Sequence, residues 1–248
     1  MKIHTNIPAV SAQRSLGKTQ EELADRLLKL TTGYRINKAA DDAAGLAISE
    51  KLRSLISGIG KEATNELDMI SMNQVAEGGL SSTSDALQRM RELTVQSANG
   101  TLTDEDRELI NKEVSQLQEQ IDFTANTTQF NTKQVISDAK AADIGVDKSS
   151  IDIVANPQDA IKKIDTAINT ISEKRAELGA QMNRSEHKIN SLLIAQENTM
   201  AAESRIRDAD MAFEMMNLVR SQILEKSGVS MLGHANVRPK TALDLLGV

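Results

Sequence analysis

Along most of this chain, apolar residues recur at alternating steps of four and three, the spacing that lays one stripe along an α-helix. Near the start, Leu16, Leu23, Leu27, Leu30 and Tyr34 form one such stripe. From about Asp42 to Asn99, Leu52, Ile56, Ile59, Ala63, Ile70, Leu80 and Leu87 share a single grid. A helix of that length runs on the order of 80 Å at about 1.5 Å per residue, and Gly100 is placed to end it. Thr103 ahead of Asp104, Glu105 and Asp106 predicts the start of a shorter helix, because acids suit a helix N-terminus. Its stripe is Ile110, Val114, Leu117, Ile121 and Thr124.

The period changes after about residue 131. Ile144 and Val146, then Ile151 and Ile153, alternate every second residue across the polar stretch Asp147-Lys148-Ser149-Ser150. That pattern predicts a small β-hairpin near 132–156. Asn156-Pro157 with Asp159 predicts a helix start, proline in the first helical position and an acid in the first turn. Ile161, Ile164, Ile168, Ile171, Leu178, Met182, Ile189, Leu192 and Ile206 then share one grid, and a last segment carries Ala209, Phe213, Met216 and Ile223, with Val219 widening the stripe.

These elements predict a mainly α fold: a long antiparallel helical bundle or coiled coil with one small β-hairpin, its chain ends returning to the same end. The expected division is an inner pair of segments, 1–41 with 205–248, and an outer helical domain, 42–204. The two terminal helices have at most each other as partners. Their expected seam is Leu16, Leu23, Leu27 and Leu30 against Phe213, Met216, Val219 and Ile223. One narrow stripe each buries little against an ordering cost of roughly 1–2 kcal/mol per residue, and isolated helices are marginal in water. The chain ends are therefore expected to order when neighbouring copies cover them.

Composition supports a helical building part over a pocketed enzyme. Aromatic residues are only 2% of the 248, so the bulk that usually fills a compact core is missing. The net charge is −6 with acids and bases interspersed, which speaks against nucleic acid as a partner. There is no cysteine, hence no disulfide framework and no thiolate metal site. No stretch approaches the roughly 18 consecutive apolar residues of a membrane span, so no membrane insertion is expected. The first residues hold no apolar core of a cleavable signal, which by itself points to the cytosol.

Candidate chemistry is sparse. His4, His187 and His234 are scattered, and Gly58-Ile59-Gly60-Lys61 lacks the earlier glycine and the following hydroxyl of a phosphate loop. Neither a catalytic set nor a cofactor or metal is expected. Within TTGYRINKAADDAAGLAIS, residues 31–49, Asp41 and Asp42 are adjacent, and neighbours on a helix diverge by about 100° rather than converge on a substrate. The small residues around them suit close approach of another backbone. The stretch is expected to be a joint that meets ESRIRDADM at 203–211, with Arg35, Asn37, Asp41, Asp42, Arg205, Arg207 and Asp208 as its residues and Arg205 or Arg207 pairing with Asp41 or Asp42.

Several motifs carry a wider likeness: Asn6 with Arg14 and Leu16, LTTGYRINKAADDAAGLAIS, LQRMRELTVQSANGTLT at 87–103, TQFN at 128–131, SRIRDADMA at 204–212 and the closing LDLLGV. In this order, and over essentially the whole length, the chain resembles bacterial flagellin. The resemblance implies a structural, non-enzymatic subunit that polymerises with itself into the extracellular flagellar filament used for motility. Export would then be uncleaved, through the flagellar type III apparatus, which replaces the cytosolic expectation. Implied partners are further copies of the chain, an export chaperone, junction and cap proteins, and the innate flagellin receptor.

Gln88, Arg89, Leu93, Glu113, Gln129 and Phe130 match a surface used for axial contacts, Arg89, Leu93 and Glu113 also matching the receptor surface, with assembly the safer assignment. Residues 132–156 leave room only for the hairpin, so additional outer domains are expected to be absent and the filament smooth. Pro8 and Gly233-His234 depart from the family pattern. A hook–filament junction protein remains an alternative, and from another class so does a helical signalling rod, which has no reason for the breaks at 31–42 and 127–156.

Overall fold

The computed structural model describes residues 6–148, 150–151 and 153–245, with side chains described as far as residue 237. His4, Ser149 and the last three residues of the LDLLGV motif lie outside the described residues. In chain order the elements are α1 (Ile7–Thr32), α2 (Ala43–Ser97), α3 (Asp104–Thr127), β1 (Gln129–Phe130), β2 (Lys133–Gln134), a short 3-10 turn (Ser137–Ala139), α4 (Pro157–Arg207) and α5 (Met211–Leu245). They fall into two compact units. One runs through Gly58 and resumes at Gln196; the other is Ile59–Ala195. The division lies inside α2 and α4, whereas the sequence reading divides the chain at its polar connectors.

Helix ends follow from local chemistry. Asn6 caps α1, its Oδ1 accepting the Ala9 N–H at 3.2 Å, and Pro8 sits in the first turn, where a missing N–H costs nothing. The helix closes at Gly33, whose φ of 73° places it in the left-handed region that glycine tolerates. Thr103 and Asp106 form a reciprocal capping box at the start of α3. Asp210 Oδ1 accepts the N–H groups of Ala212 and Phe213 at 3.0 and 3.1 Å, which starts α5.

The Ile59–Ala195 unit holds the main core. Leu80, Leu87 and Met90 from α2 meet Val114 and Ile121 from α3 and Ile164 and Ile171 from α4, all essentially sealed from solvent. Charged pairs flank it. Arg91–Asp165 (2.6 Å), Glu77–Arg175 (2.7 Å) and Glu66–Lys188 (2.8 Å) link α2 to α4, residue numbers falling on one helix as they rise on the other, so the two run antiparallel.

The β-hairpin lies earlier than its expected strands. β1 and β2 pair antiparallel with Gln129 opposite Gln134 and Phe130 opposite Lys133. The two-residue turn is Asn131-Thr132, with φ of 50° and 66°, the backbone that right-twisted hairpins prefer. Ile144, Val146, Ile151 and Ile153 are all buried, but in successive turns rather than strands. Bonds such as Val146 N–H to Ala141 O (2.8 Å) and Ile151 N–H to Asp147 O (3.2 Å) fold the backbone on itself, and Gln118 Nε2 on α3 holds Val146 O at 2.8 Å. Alternation here records residues pressed onto one core, a demand that irregular chain can also meet.

Replacing Ile164, fully buried, with alanine is expected to lower unfolding free energy by roughly 2–5 kcal/mol. Leu109→Ala, at a side chain 63% exposed, is expected to stay within about 0.5 kcal/mol. Urea denaturation followed by circular dichroism measures both.

Candidate functional site

Within the unit that joins the chain ends, α1 lies antiparallel against α5. Asn6 Nδ2 donates to Ala235 O at 2.8 Å, and Arg26 reaches Glu214 at 2.7 Å. The side chains turned inward on α1 include Leu16, Leu23, Arg26 and Leu30; on α5 they are Glu214, Leu218, Ser221, Glu225 and Leu232. This corrects the expected seam. Phe213, Met216, Val219 and Ile223 are 54, 65, 48 and 59% exposed, and Leu27 is exposed as well. Two stripes with the same spacing run along α5, one fully apolar and one mixed, and the mixed one faces α1. The reason is Glu214. Its side chain is only 6% exposed and needs the guanidinium of Arg26 beside it. Arg26 is legible as a polar residue on a step of the leucine grid of α1, whereas Glu214 shares its stripe with Ser221 and Glu225 and does not stand out.

The connector between α1 and α2 closes on the end of α4 through backbone. Arg35 N–H donates to Arg207 O at 2.7 Å, Ala209 N–H donates to Gly33 O at 2.9 Å, and Tyr34 and Asp208 form an antiparallel bridge. Arg35 also sends its guanidinium to Ile206 O at 2.6 Å. Arg207 stacks 4.8 Å above the Tyr34 ring and pairs with Glu50 at 2.9 Å. The two stretches do meet.

Their charge pairing differs from the expected one. Asp41 Oδ2 accepts the N–H groups of Asn37 and Lys38, both at 2.9 Å, and Asp42 Oδ1 accepts Gly45 N–H at 2.8 Å. The two acids tie off a turn and a helix start, Arg207 takes Glu50 instead, and Arg205 is exposed. The backbone donors from Lys38 and Asn37 hold the Asp41 carboxyl below the usual aspartate range. Asn37 Nδ2 closes the turn onto Tyr34 O at 3.0 Å. Gly45 is needed for close packing, since a Cβ there would stand 2.9 Å from Ile36 Cδ1, and Ile36 is buried.

On the other unit, Gln88, Arg89, Glu113 and Gln129 are exposed and Phe130 half-buried. Arg89 bridges Glu113 at 2.9 Å and Glu92 at 3.2 Å. Leu93 does not belong with them: at 3% exposure it faces the core, because it continues the buried stripe of Leu87 and Met90. Among the described residues no group of three or more His, Asp or Glu is placed to hold a metal ion, and no helix is long and apolar enough to cross a membrane.

Compared with known families, residues 3–141 match the bacterial flagellin N-terminal helical region and residues 161–246 the bacterial flagellin C-terminal helical region. The chain belongs to the bacterial flagellin family. A flagellin from Halalkalibacterium halodurans is 42% identical, the alignment covering 99% of this chain and 100% of that one. A flagellar filament 33 kDa core protein from Treponema phagedenis is 41% identical and a flagellin from Bacillus subtilis 36%, each over 99% of this chain and all of the relative. The two matched regions leave 142–160 between them, which holds the buried turns placed above. In this flagellin the motifs at 31–49 and 204–212 are the two faces of the joint, and TQFN supplies β1 and the first turn residue of the hairpin.

Gly45→Ala and Asp41→Ala are each expected to loosen the joint while leaving the Ile59–Ala195 unit intact. Amide exchange at Asn37 and Lys38 should speed up in both, and Asp41→Asn, which keeps an oxygen acceptor, should retain most of the protection. The pH dependence has a definite sign. A carboxyl held low by folding contributes stability that is fully present above its unfolded value of about 3.9. Protection of those two amides should therefore persist on acidification to that value and disappear as the pH falls through the lower folded one.

Proposed function

We infer that this flagellin is the structural subunit of a bacterial flagellar filament, outside the cell, and that its two chain ends complete their packing on neighbouring copies. Relatives that align over their whole length include a flagellar filament core protein. The observation that carries the second part is the surface of α5. Met211, Phe213, Met215, Met216, Val219, Ile223, Leu224 and Val229 are all exposed, and they are spread around the helix outside the stripe that α1 covers. A helix apolar on every side belongs in an interior. Here one side is covered, and eight large apolar side chains on the other sides stand open to water with only scattered polar residues such as Arg220 and Lys226 between them.

Identical copies supply the cover most economically, because each brings the same open surface in the same place. Side by side, such helices form a tube whose wall is an extended hydrophobic core. Burying each Phe, Ile or Met there contributes about 1.5–3 kcal/mol. The same open surface calls for a chaperone before assembly and suits export as an unpacked chain through the flagellar type III apparatus, with junction and cap proteins closing the polymer. In the other unit, Gln88, Arg89, Glu113 and Gln129 are the side chains available for axial contact, and a receptor that reads Arg89 and Glu113 would bind the same face.

Concentrated protein in a precipitating salt should form long filaments by negative-stain electron microscopy. A variant lacking 1–35 and 205–248 should form none, yet keep cooperative unfolding of the Ile59–Ala195 unit. Phe213→Ser with Ile223→Ser, in the full chain, should raise the concentration needed for filaments by at least about tenfold with helix content unchanged. Filaments from the trimmed variant would refute the reading.

A further inference from the structure

We propose that the exposed thioethers of α5, those of Met211, Met215, Met216 and Met231, form an oxidative modification site that keeps a subunit from polymerising. The proposal rests on the reading that α5 is covered by other copies. Its chemistry does not.

The chain has ten methionines and no cysteine, so thioether sulfur is its only readily oxidised sulfur. Among the described residues, Met72 and Met182 are half-buried. Met90 sits in the core at 0% exposure, whereas Met211, Met215, Met216 and Met231 are 48, 49, 65 and 63% exposed. All four lie on the helix whose uncovered sides are apolar. A two-electron oxidant such as hydrogen peroxide reacts there in one step. The sulfur lone pair attacks one peroxide oxygen and the O–O bond breaks. A sulfur–oxygen bond forms, and the departing hydroxide takes up a proton to become water. Sulfur loses two electrons and peroxide gains them.

The product is polar where the parent was not. A sulfoxide oxygen is a strong hydrogen-bond acceptor, and the Phe, Ile, Leu and Val side chains around it offer no donor, leaving only a few scattered ones such as Arg220 and Lys226. In the lone subunit the oxygen stays in water, so α1, α5 and their seam are undisturbed. In a polymer that covers these sides of α5, each such oxygen must give up water for a surface with few donors. Oxidation thus acts on assembly and spares folding. The converse also holds: once other copies cover these sulfurs, peroxide cannot reach them.

The test uses the full chain. Subunits treated with hydrogen peroxide are mapped by peptide mass spectrometry, checked by circular dichroism and assayed for polymerisation by light scattering. Expected are sulfoxides at the four α5 positions, an unmodified Met90, unchanged helix content and a rise of about tenfold or more in the concentration needed for filaments. Methionine sulfoxide reductases should restore polymerisation, and preformed filaments should resist modification at α5. Met69 and Met200, 43 and 52% exposed, oxidise too. The variant Met211→Leu, Met215→Leu, Met216→Leu, Met231→Leu separates their effect, since after equal treatment it should still polymerise.

Loss of polymerisation by that treated variant, or unimpaired assembly of a fully oxidised α5, would overturn the proposal. Failure of untreated subunits to polymerise would instead strike the self-assembly reading, and the sulfoxide map would still decide whether α5 is the oxidised site.

Discussion

Everything distinctive about this flagellin follows from an imbalance on one helix: α5 is apolar on more sides than its single partner can cover. A chain that folded for itself alone would have placed charges on the outer sides, as α1 does with Lys18, Glu21, Glu22 and Asp25. In α5 a charge also enters the seam, where Glu214 meets Arg26, while exposed Arg220 and Lys226 are scattered among the apolar residues of the open sides. Polar groups inside a helix pair contribute little net stability, but they penalise every misaligned arrangement, because a shift along the axis strands a dehydrated charge. On the proposed reading the seam sets alignment and the open surface supplies the drive to associate. Those two duties are usually assigned the other way round.

The Ile59–Ala195 unit shows the ordinary arrangement. Its core is continuous across three helices and the turns at 136–153, and its charged pairs lie at the margins. It has what a self-sufficient body requires, a sealed interior whose buried polar side chains, such as Thr83, Thr94 and Gln118, are hydrogen-bonded to backbone carbonyls. Stability and association are thus lodged in different parts of one chain. Backbone bonds at the joint tie the connector after α1 to the end of α4, and α1 meets α5 through Arg26–Glu214 and Asn6–Ala235.

Helices were plain in the sequence because their periodicity is long and their ends carry chemical marks. The predicted span from Asp42 to Asn99 became Ala43–Ser97, and Thr103 and Pro157 each open a helix where expected. Two features were misread for the same reason, that spacing reports which residues share a face but not what the face meets. At 144–153, alternation was equally compatible with strands or with turns pressed on a core. On α5, two stripes of identical spacing competed, and hydrophobicity favoured the one that α1 leaves open. The small residues and charges point to the two stretches that meet through backbone bonds, but not to the ion pairs they make. Adjacent aspartates beside free N–H groups satisfy those first, at a cost of three or four residues of chain, before any arginine from a distant segment arrives. Likeness alone puts Leu93 on the surface, whereas its step from Leu87 and Met90 puts it inside, where it is buried.

The long reach of the α1–α5 seam has a temporal consequence. Its two fixed contacts join residues 229 and 188 positions apart, Asn6 with Ala235 and Arg26 with Glu214. Caps, hairpin and local turns form from neighbours, whereas closing so large a loop is slow and happens only after both ends have arrived. A molecule broken anywhere between those points has nothing to close with. Pairing of the ends thus forms among the last contacts of the fold and requires both ends of the chain.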